Sequence, residues 1–126
     1  MHYSGDMKPI ALATGTALNV GTEVVLSTVV ETAVGRLLKP MFYVIANADT
    51  GATGSMVLTY TERIADLPAL GSVEITVTLT EVDGAYYGVY PITTNYSTIG
   101  LSKYESDLDK NMTSFEIGVT GLIMYE

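Results

Sequence analysis

Residues Ser72 to Tyr90 read SVEITVTLTEVDGAYYGVY, and this stretch decides the fold. In its first half, polar and β-branched positions alternate with four apolar ones, Val73, Ile75, Val77 and Leu79. Such alternation is typical of a strand that buries one face. The dipeptide Asp83-Gly84 readily adopts the positive φ angles of a tight turn. The sequence therefore predicts an antiparallel hairpin in which Ala85 to Tyr90 returns beside the first strand.

A similar alternation begins earlier in the chain. From Leu18 to Val30 the even positions are mostly apolar, which predicts one long strand, or two strands with a bend near Gly21. The alternative is a helix over TEVVLSTVVETAVGRLL that begins at Thr22 and ends near Gly35. The density of Val and Thr favours the strand, because β-branched side chains are restricted in a helix.

Further segments extend the β pattern to the end of the chain. Pro40 to Asn47, PMFYVIAN, is apolar on both faces, as in the middle of a sandwich or an interface. Ser55 to Ile64 alternates and is expected to pair with that strand across the loop ADTGATGS. Ala65 to Gly71 is interpreted as a connection, Pro91 to Tyr104 as holding one more short strand, and Met112 to Tyr125 as a long closing strand.

These segments predict an all-β protein: a single antiparallel β-sandwich, jelly-roll or immunoglobulin-like, of about seven or eight strands. The length of 126 residues and the 48% of hydrophobic residues suit one domain over residues 1–126. Within it, residues 1–8 are a candidate extended N-terminal arm. The Cys and Trp that mark antibody domains are absent, since the composition contains neither.

Charge excludes several classes of partner. Six Lys and Arg against fourteen Asp and Glu give a net charge of -8, and the cations are scattered along the chain. Nucleic acid requires clustered cations, so neither nucleic-acid binding nor binding to an anionic membrane surface is expected. No run approaches the roughly 20 apolar residues of a membrane span, and the start MHYSGDMKPIALATG does not resemble a secretory signal. The chain is therefore expected to be soluble.

Candidate catalytic residues are few. The chain has no Cys, and His2 is its one histidine, next to the terminus. A general base must be held rigidly near its target, which a terminal residue seldom is. One histidine also leaves a zinc site dependent on carboxylates. We therefore expect no enzyme activity, no catalytic residues, no metal site and no cofactor.

The segment Glu105 to Glu116, ESDLDKNMTSFE, has oxygen-bearing side chains at alternate positions: Glu105, Asp107, Asp109 and Asn111. This resembles the spacing of a calcium-binding EF-hand loop. Lys110, however, takes the place where the sharp turn requires Gly, and no amphipathic helices flank the segment. An EF-hand is therefore excluded, and a solvated acidic loop is favoured over an irregular calcium site.

Four tyrosines lie in or near the returning strand of the hairpin: Tyr86, Tyr87, Tyr90 and Tyr96. Alternation places Tyr86 and Tyr90 on one face and Tyr87 on the other. Tyrosines packed in the core, an anchor for a protein partner and a platform for a sugar ring are all compatible with this pattern.

Two functional hypotheses follow. The first is a structural or assembly protein, a virion component such as a capsid coat or decoration subunit or a tail or fibre part, whose partners are other protein subunits. In that case the two-faced strand Met41 to Ala46 is buried within or between subunits, and the arm Met1 to Lys8 crosses onto a neighbour. The second is a carbohydrate-binding or adhesive β-sandwich module that uses the tyrosines, with calcium in the acidic loop.

Overall fold

The computed structural model of the chain describes residues 2–7, 9–33, 37–49, 51–63, 71–92 and 98–125. These residues form nine strands and, within those ranges, no helix. The strands are β1 (His2–Met7), β2 (Ile10–Gly15), β3 (Glu23–Ala33), β4 (Leu37–Ala48), β5 (Gly54–Arg63), β6 (Ser72–Val82), β7 (Ala85–Pro91), β8 (Thr98–Ser106) and β9 (Met112–Tyr125). The prediction of an all-β chain is confirmed.

All strand pairs are antiparallel and belong to one sheet. Eight strands follow the order β1-β9-β4-β7-β6-β5-β8-β3, and β2 also pairs with β9. Strand β6 is shared between the two halves of the sheet: Ser72–Leu79 pair with β5, and Thr80–Val82 pair with β7. The sheet curls, so that the rings of Phe42 and Tyr60, from opposite halves, lie 5.0 Å apart. The molecule is one curled antiparallel sheet; the predicted sandwich or jelly-roll topology is not confirmed.

Glycine is required where β7 separates from β6. A Cβ on Gly88 would lie 2.5 Å from the carbonyl oxygen of Thr78 and 2.7 Å from a methyl group of Val77. Only a residue without a side chain lets the two backbones approach this closely. Gly88 therefore allows β6 to leave β7 and pair with β5.

The predicted hairpin is confirmed. Val82 pairs with Ala85 across the turn, and both turn residues have positive φ, 52° at Asp83 and 88° at Gly84. These are the angles that a two-residue turn needs to match the twist of its strands. Ile75, Val77 and Leu79 are buried as the alternation predicts, whereas Val73, near the start of β6, is 43% exposed.

The Leu18 to Val30 segment is extended, as predicted, but its long strand begins only at Glu23. Gly21 lies in a turn with a φ of 71°. Before that turn, Leu18 forms an isolated bridge with Met112 and is buried. The bend expected at Gly21 thus separates β3, which pairs with β8, from a short contact with β9.

The prediction that Ser55 to Ile64 pairs with Pro40 to Asn47 is wrong. Strand β4 pairs with β7 and β9, while β5 pairs with β6 and β8. The loop between β4 and β5 bonds to other elements instead of closing a hairpin: Ala52 N donates to Tyr86 Oη at 3.0 Å, and Thr53 N donates to Asp109 at 2.9 Å. The two strands consequently face each other across the core.

The remaining chain follows the sequence pattern closely. Strand β8 is the additional strand expected within Pro91 to Tyr104, and β9 is the predicted closing strand. Residues 64–70, most of the predicted connection, lie outside the described residues. In the candidate arm, His2–Met7 pair with β9 of the same chain, so crossing onto a neighbour stays a prediction.

Candidate functional site

The outer face of the sheet carries a groove across β7, β4 and β9. Strand β4 lies between the other two, and Phe42, Val44 and Ala46 on its inner face are buried in the core. On its outer face, Tyr43 is almost fully buried and Ile45 is 40% exposed. The strand is therefore apolar on both faces, as predicted, and the outer apolar side chains form the floor of the groove.

Strand register brings together residues that are far apart in the sequence. Ile45 lies between Tyr87 on β7 and Glu116 on β9, and Tyr43 lies between Val89 and Gly118. The groove encloses about 390 Å³ and is lined largely by these outer side chains and by Thr120. Tyr87 is 44% exposed and Val89 is 61% exposed. As far as the described residues define it, the groove is an open, largely apolar surface with one carboxylate, that of Glu116, in its wall.

The Glu116 carboxylate is held by Tyr43, whose hydroxyl donates to Oε2 at 2.6 Å. Burial, followed by this hydrogen bond to a carboxylate, raises the pKa of the Tyr43 phenol. Gly118 makes room for this arrangement, since a Cβ there would lie 2.6 Å from the Tyr43 hydroxyl and 2.4 Å from the Ile10 carbonyl oxygen. Glycine at this position lets both β2 and the Tyr43 ring pack on β9.

The raised pKa of Tyr43 predicts a loss of stability in alkaline solution. Below the ordinary tyrosine pKa of 10.0 both the folded and the unfolded phenol are protonated. As the pH rises above that value, the unfolded phenol ionises first, so the free energy of unfolding falls. Tyr43→Phe is expected to make this decline shallower in urea titrations followed from neutral to alkaline pH.

Tyr87→Phe, which removes an exposed hydroxyl, is the control for the loss of a tyrosine as such. Burial also raises the pKa of Tyr60, Tyr86 and Tyr104, so part of the alkaline decline should persist in the Tyr43→Phe variant. An unchanged pH dependence in that variant would contradict the role assigned to Tyr43.

The predicted tyrosine cluster divides between the two faces of β7. Tyr86 is buried, and its hydroxyl accepts from Ala52 N and lies 3.0 Å from a carboxylate oxygen of Glu81. The hydrogen bond from Ala52 N to Tyr86 attaches the loop between β4 and β5 to the core. Tyr87 lines the groove on the opposite face, as the alternation predicts, and Tyr90 is 39% exposed. Tyr96 lies outside the described residues.

The acidic segment is attached to the sheet by its own polar groups. Asp109 accepts from Thr53 N at 2.9 Å and from Thr53 Oγ1 at 3.2 Å. The backbone hydrogen bond from Thr53 is the main reason why the pKa of Asp109 is lowered. Asn111 Oδ1 accepts from Val20 N at 2.8 Å.

This segment is not a fully solvated loop, because Ser106, Leu108, Met112 and Phe115 are buried. Asp107 and Asp109 are exposed, but Leu108 between them is 1% exposed and belongs to the core. Glu105 ends up in β8 and Glu116 in β9. Among the described residues, no group of three or more His, Asp or Glu side chains is arranged to hold a metal ion. His2 lies in β1, opposite Tyr125.

Reasoning from sequence identified Ile45, through the two-faced run Met41 to Ala46. It did not identify Glu116 as a groove residue or Gly118 as the position that makes room for Tyr43. The available signal was the closing strand, where Glu116, Gly118 and Thr120 occupy the parity opposite to the buried Phe115, Ile117 and Val119. Their position beside β4 depends on strand pairing, which the alternation within one strand does not report.

Within the described part of the chain, no helix has the length and apolar character needed to cross a membrane. Compared with protein-family models, with curated proteins and with solved structures, the chain matches none of them.

Proposed function

We propose that the chain is a non-enzymatic structural subunit that acts through contacts with other protein subunits. Its proposed setting is a virion, as a capsid coat or decoration subunit or as a tail or fibre part. The observation that carries this proposal is the apolar groove on the outer face of β7, β4 and β9, where Ile45, Tyr87 and Val89 lie exposed next to one another. Contiguous apolar surface of this kind marks interaction sites.

The energy available from this surface is appreciable. Complete burial of a side chain such as valine or isoleucine contributes about 1.5–3 kcal/mol relative to exposure. Ile45 and Val89 already have part of their surface buried, at 40% and 61% exposure, so a partner would gain about 1 kcal/mol from each. Tyrosine adds area at a low entropic cost, as anchors of protein interfaces do.

The sheet edges and the net charge indicate how such a subunit would assemble. Strand β3 ends the sheet path, and its Val25 is 67% exposed. An open strand edge pairs readily with another chain, and assembly into homo-oligomers covers such edges. The net charge of -8 disfavours direct contact with a packaged genome and suits a subunit of an outer layer.

The finer architecture is part of the same proposal. We propose that the two halves of the curled sheet form a β-sandwich, jelly-roll or immunoglobulin-like, that encloses the core. Ring contacts between the halves support this, at 5.0 Å for Phe42 with Tyr60 and 5.4 Å for Tyr104 with Phe115. Aromatic pairs at such distances are typical of packed interiors.

The alternative is a carbohydrate-binding or adhesive module, and one observation favours it. Tyr87 presents an exposed ring in the groove, with the Glu116 carboxylate on the other side of Ile45. A sugar ring stacks on such an aromatic surface and donates its hydroxyls to carboxylates. Calcium bound near Asp107 and Asp109 would assist this module.

The first test is the solution mass of the purified chain, measured by light scattering over a concentration series, with negative-stain electron microscopy of the same samples. We expect closed rings, trimers, shells or filaments. Val25→Glu places a charge on the open β3 edge, where Val25 is 67% exposed, and is expected to lower the mass towards that of the monomer. The matched control is Val82→Glu at the β6–β7 turn, which starts from a comparable 52% exposure and does not lie in β3.

A chain that stays monomeric at high concentration would contradict self-assembly. A melting temperature that then rises with added glycans or calcium would favour the binding module, because a ligand that binds only the folded state stabilises it.

A further inference from the structure

The described lining of the groove combines one acidic side chain with apolar walls. Among the described residues that line it, Glu116 is the only Asp or Glu, and none is Lys or Arg. In the described part of the chain, the carboxylate accepts one hydrogen bond, from Tyr43 Oη at 2.6 Å. A carboxylate offers about four acceptor positions, so this bond leaves acceptor capacity for a ligand in the groove.

The apolar walls adjoin the carboxylate directly. Ile45 is the register partner of both Glu116 and Tyr87, so the acid and the exposed tyrosine ring are separated by one strand. Neighbouring strands lie about 4.8 Å apart, so the distance from β9 to β7 is about 10 Å. A side chain with a long aliphatic stem and a charged tip matches a surface of this composition.

Charge favours a particular occupant. Two copies of the chain, each with a net charge of -8, repel each other at low salt. A partner that presents a cation is instead attracted to the groove. Lysine fits better than arginine, because Tyr43 already occupies one carboxylate oxygen, and arginine binds carboxylates best through both.

We propose that the groove binds a lysine side chain presented by an extended segment of a protein of different sequence. The lysine stem lies along Ile45 and Val89, and its ammonium group donates to Glu116. Tyr87, on the opposite side of Ile45 from Glu116, adds apolar surface for the lysine stem. This inference rests on the proposed function, and it names the chemistry of the partner that the groove accepts.

The test uses the full chain labelled with ¹⁵N and two capped pentapeptides, Thr-Val-Lys-Val-Thr and the same peptide with norleucine in place of lysine. Norleucine keeps the aliphatic stem and lacks the ammonium group. We expect the lysine peptide to bind at least about tenfold more tightly at low salt, to shift the amide signals of Ile45 and Glu116, and to weaken as salt is added.

Glu116→Gln keeps an acceptor for the Tyr43 hydroxyl and removes the charge. In this variant the lysine peptide is expected to bind no better than the norleucine peptide, whose affinity stays the same. Equal affinities of the two peptides for the natural chain, or no binding of either, would overturn the inference. Groove signals that shift with protein concentration alone would identify a second copy as the occupant, which also overturns it.

The outcomes separate this inference from the proposed function. A chain that assembles, loses assembly on Val25→Glu and binds both peptides equally keeps the structural role and refutes the lysine site. A chain that neither assembles nor distinguishes the peptides refutes both.

Discussion

Replacing Leu108 with alanine is expected to lower the free energy of unfolding by about 2–5 kcal/mol, the usual cost of removing a buried leucine side chain. Leu108 is 1% exposed, although its neighbours Asp107 and Asp109 face solvent. The loss combines the lost burial of the side chain with the cavity that remains. Urea unfolding of the two proteins at neutral pH measures the difference directly, and the melting temperature should fall by about 10 °C.

The backbone around Leu108 is held in place, so it cannot readily move to fill the cavity that Leu108→Ala would leave. Asp107 N donates to Ser55 O at 2.8 Å and Asp109 N donates to Thr53 O at 3.0 Å, so the backbone on both sides of Leu108 is attached to the start of β5. At Gly54, a Cβ would lie 2.9 Å from Leu108 Cα. The segment cannot move inwards to fill the space without breaking these bonds.

Two control variants distinguish packing from charge in this segment. Leu108→Met conserves most of the volume and is expected to cost less than about 1.5 kcal/mol. Asp107→Asn changes an exposed acid and should alter stability by no more than about 0.5 kcal/mol. If Leu108→Ala were no more destabilising than Asp107→Asn, the segment would be the solvated loop that its composition indicates.

Valine in place of Gly118 is expected to destabilise the fold by at least about 3 kcal/mol, at the upper end of the usual range for overpacking. The first added carbon would already lie 2.4 Å from the Ile10 carbonyl oxygen and 2.6 Å from the Tyr43 ring. Relief requires β2 to move away from β9 or Tyr43 to leave its place beside Glu116. Thermal unfolding followed by circular dichroism measures the effect.

The position allows graded and matched variants. Gly118→Ala introduces only the Cβ and should lose less stability; if it folds, Tyr43 is displaced, and its phenol is expected to ionise at lower pH in absorbance titrations. Thr120→Val, on the same face of β9, leaves these contacts alone and is expected to be mild. Wild-type stability in Gly118→Val would show that the groove floor does not depend on this glycine.

Such variants also bear on function, because Gly118 shapes the groove without presenting a side chain to a partner. A Gly118→Ala protein that stays folded should have weakened contacts at the groove, since the Tyr43–Glu116 hydrogen bond of 2.6 Å no longer holds the carboxylate in place. Reduced binding of the lysine peptide without a loss of self-assembly is the expected pattern.

The alternation of apolar and polar residues within each strand was enough to predict much of the fold. In β6 the buried residues Ile75, Val77 and Leu79 are those that the period of two assigns to the inner face. The Asp83-Gly84 turn was also predictable, because its dihedral angles depend on these two residues and not on the rest of the chain. For β3, the stiffness of Val and Thr correctly favoured a strand over a helix.

Strand pairing was not predictable in the same way. The sequence places a Gly-rich loop between β4 and β5, and a hairpin was the natural expectation. The loop instead bonds to distant residues. Ala52 N donates to Tyr86, 34 residues away, and Thr53 N donates to Asp109, 56 residues away. The burial of Leu108 was not predictable for a related reason. A single apolar residue among acidic ones forms no alternating pattern, and such a pattern is what allows burial to be predicted from sequence.

Sequence alone was enough to predict an all-β chain, the β6–β7 hairpin and the inner face of each well-alternating strand. Only the folded chain shows that β4 faces β5 across the core, that Leu108 is buried and that Tyr43, Glu116 and Tyr87 share one groove. Tyr43 and Glu116 are 73 residues apart. Alternation reports which side chains of one strand share a face, whereas a groove depends on which strands become neighbours, and that choice is made by packing between distant parts of the chain.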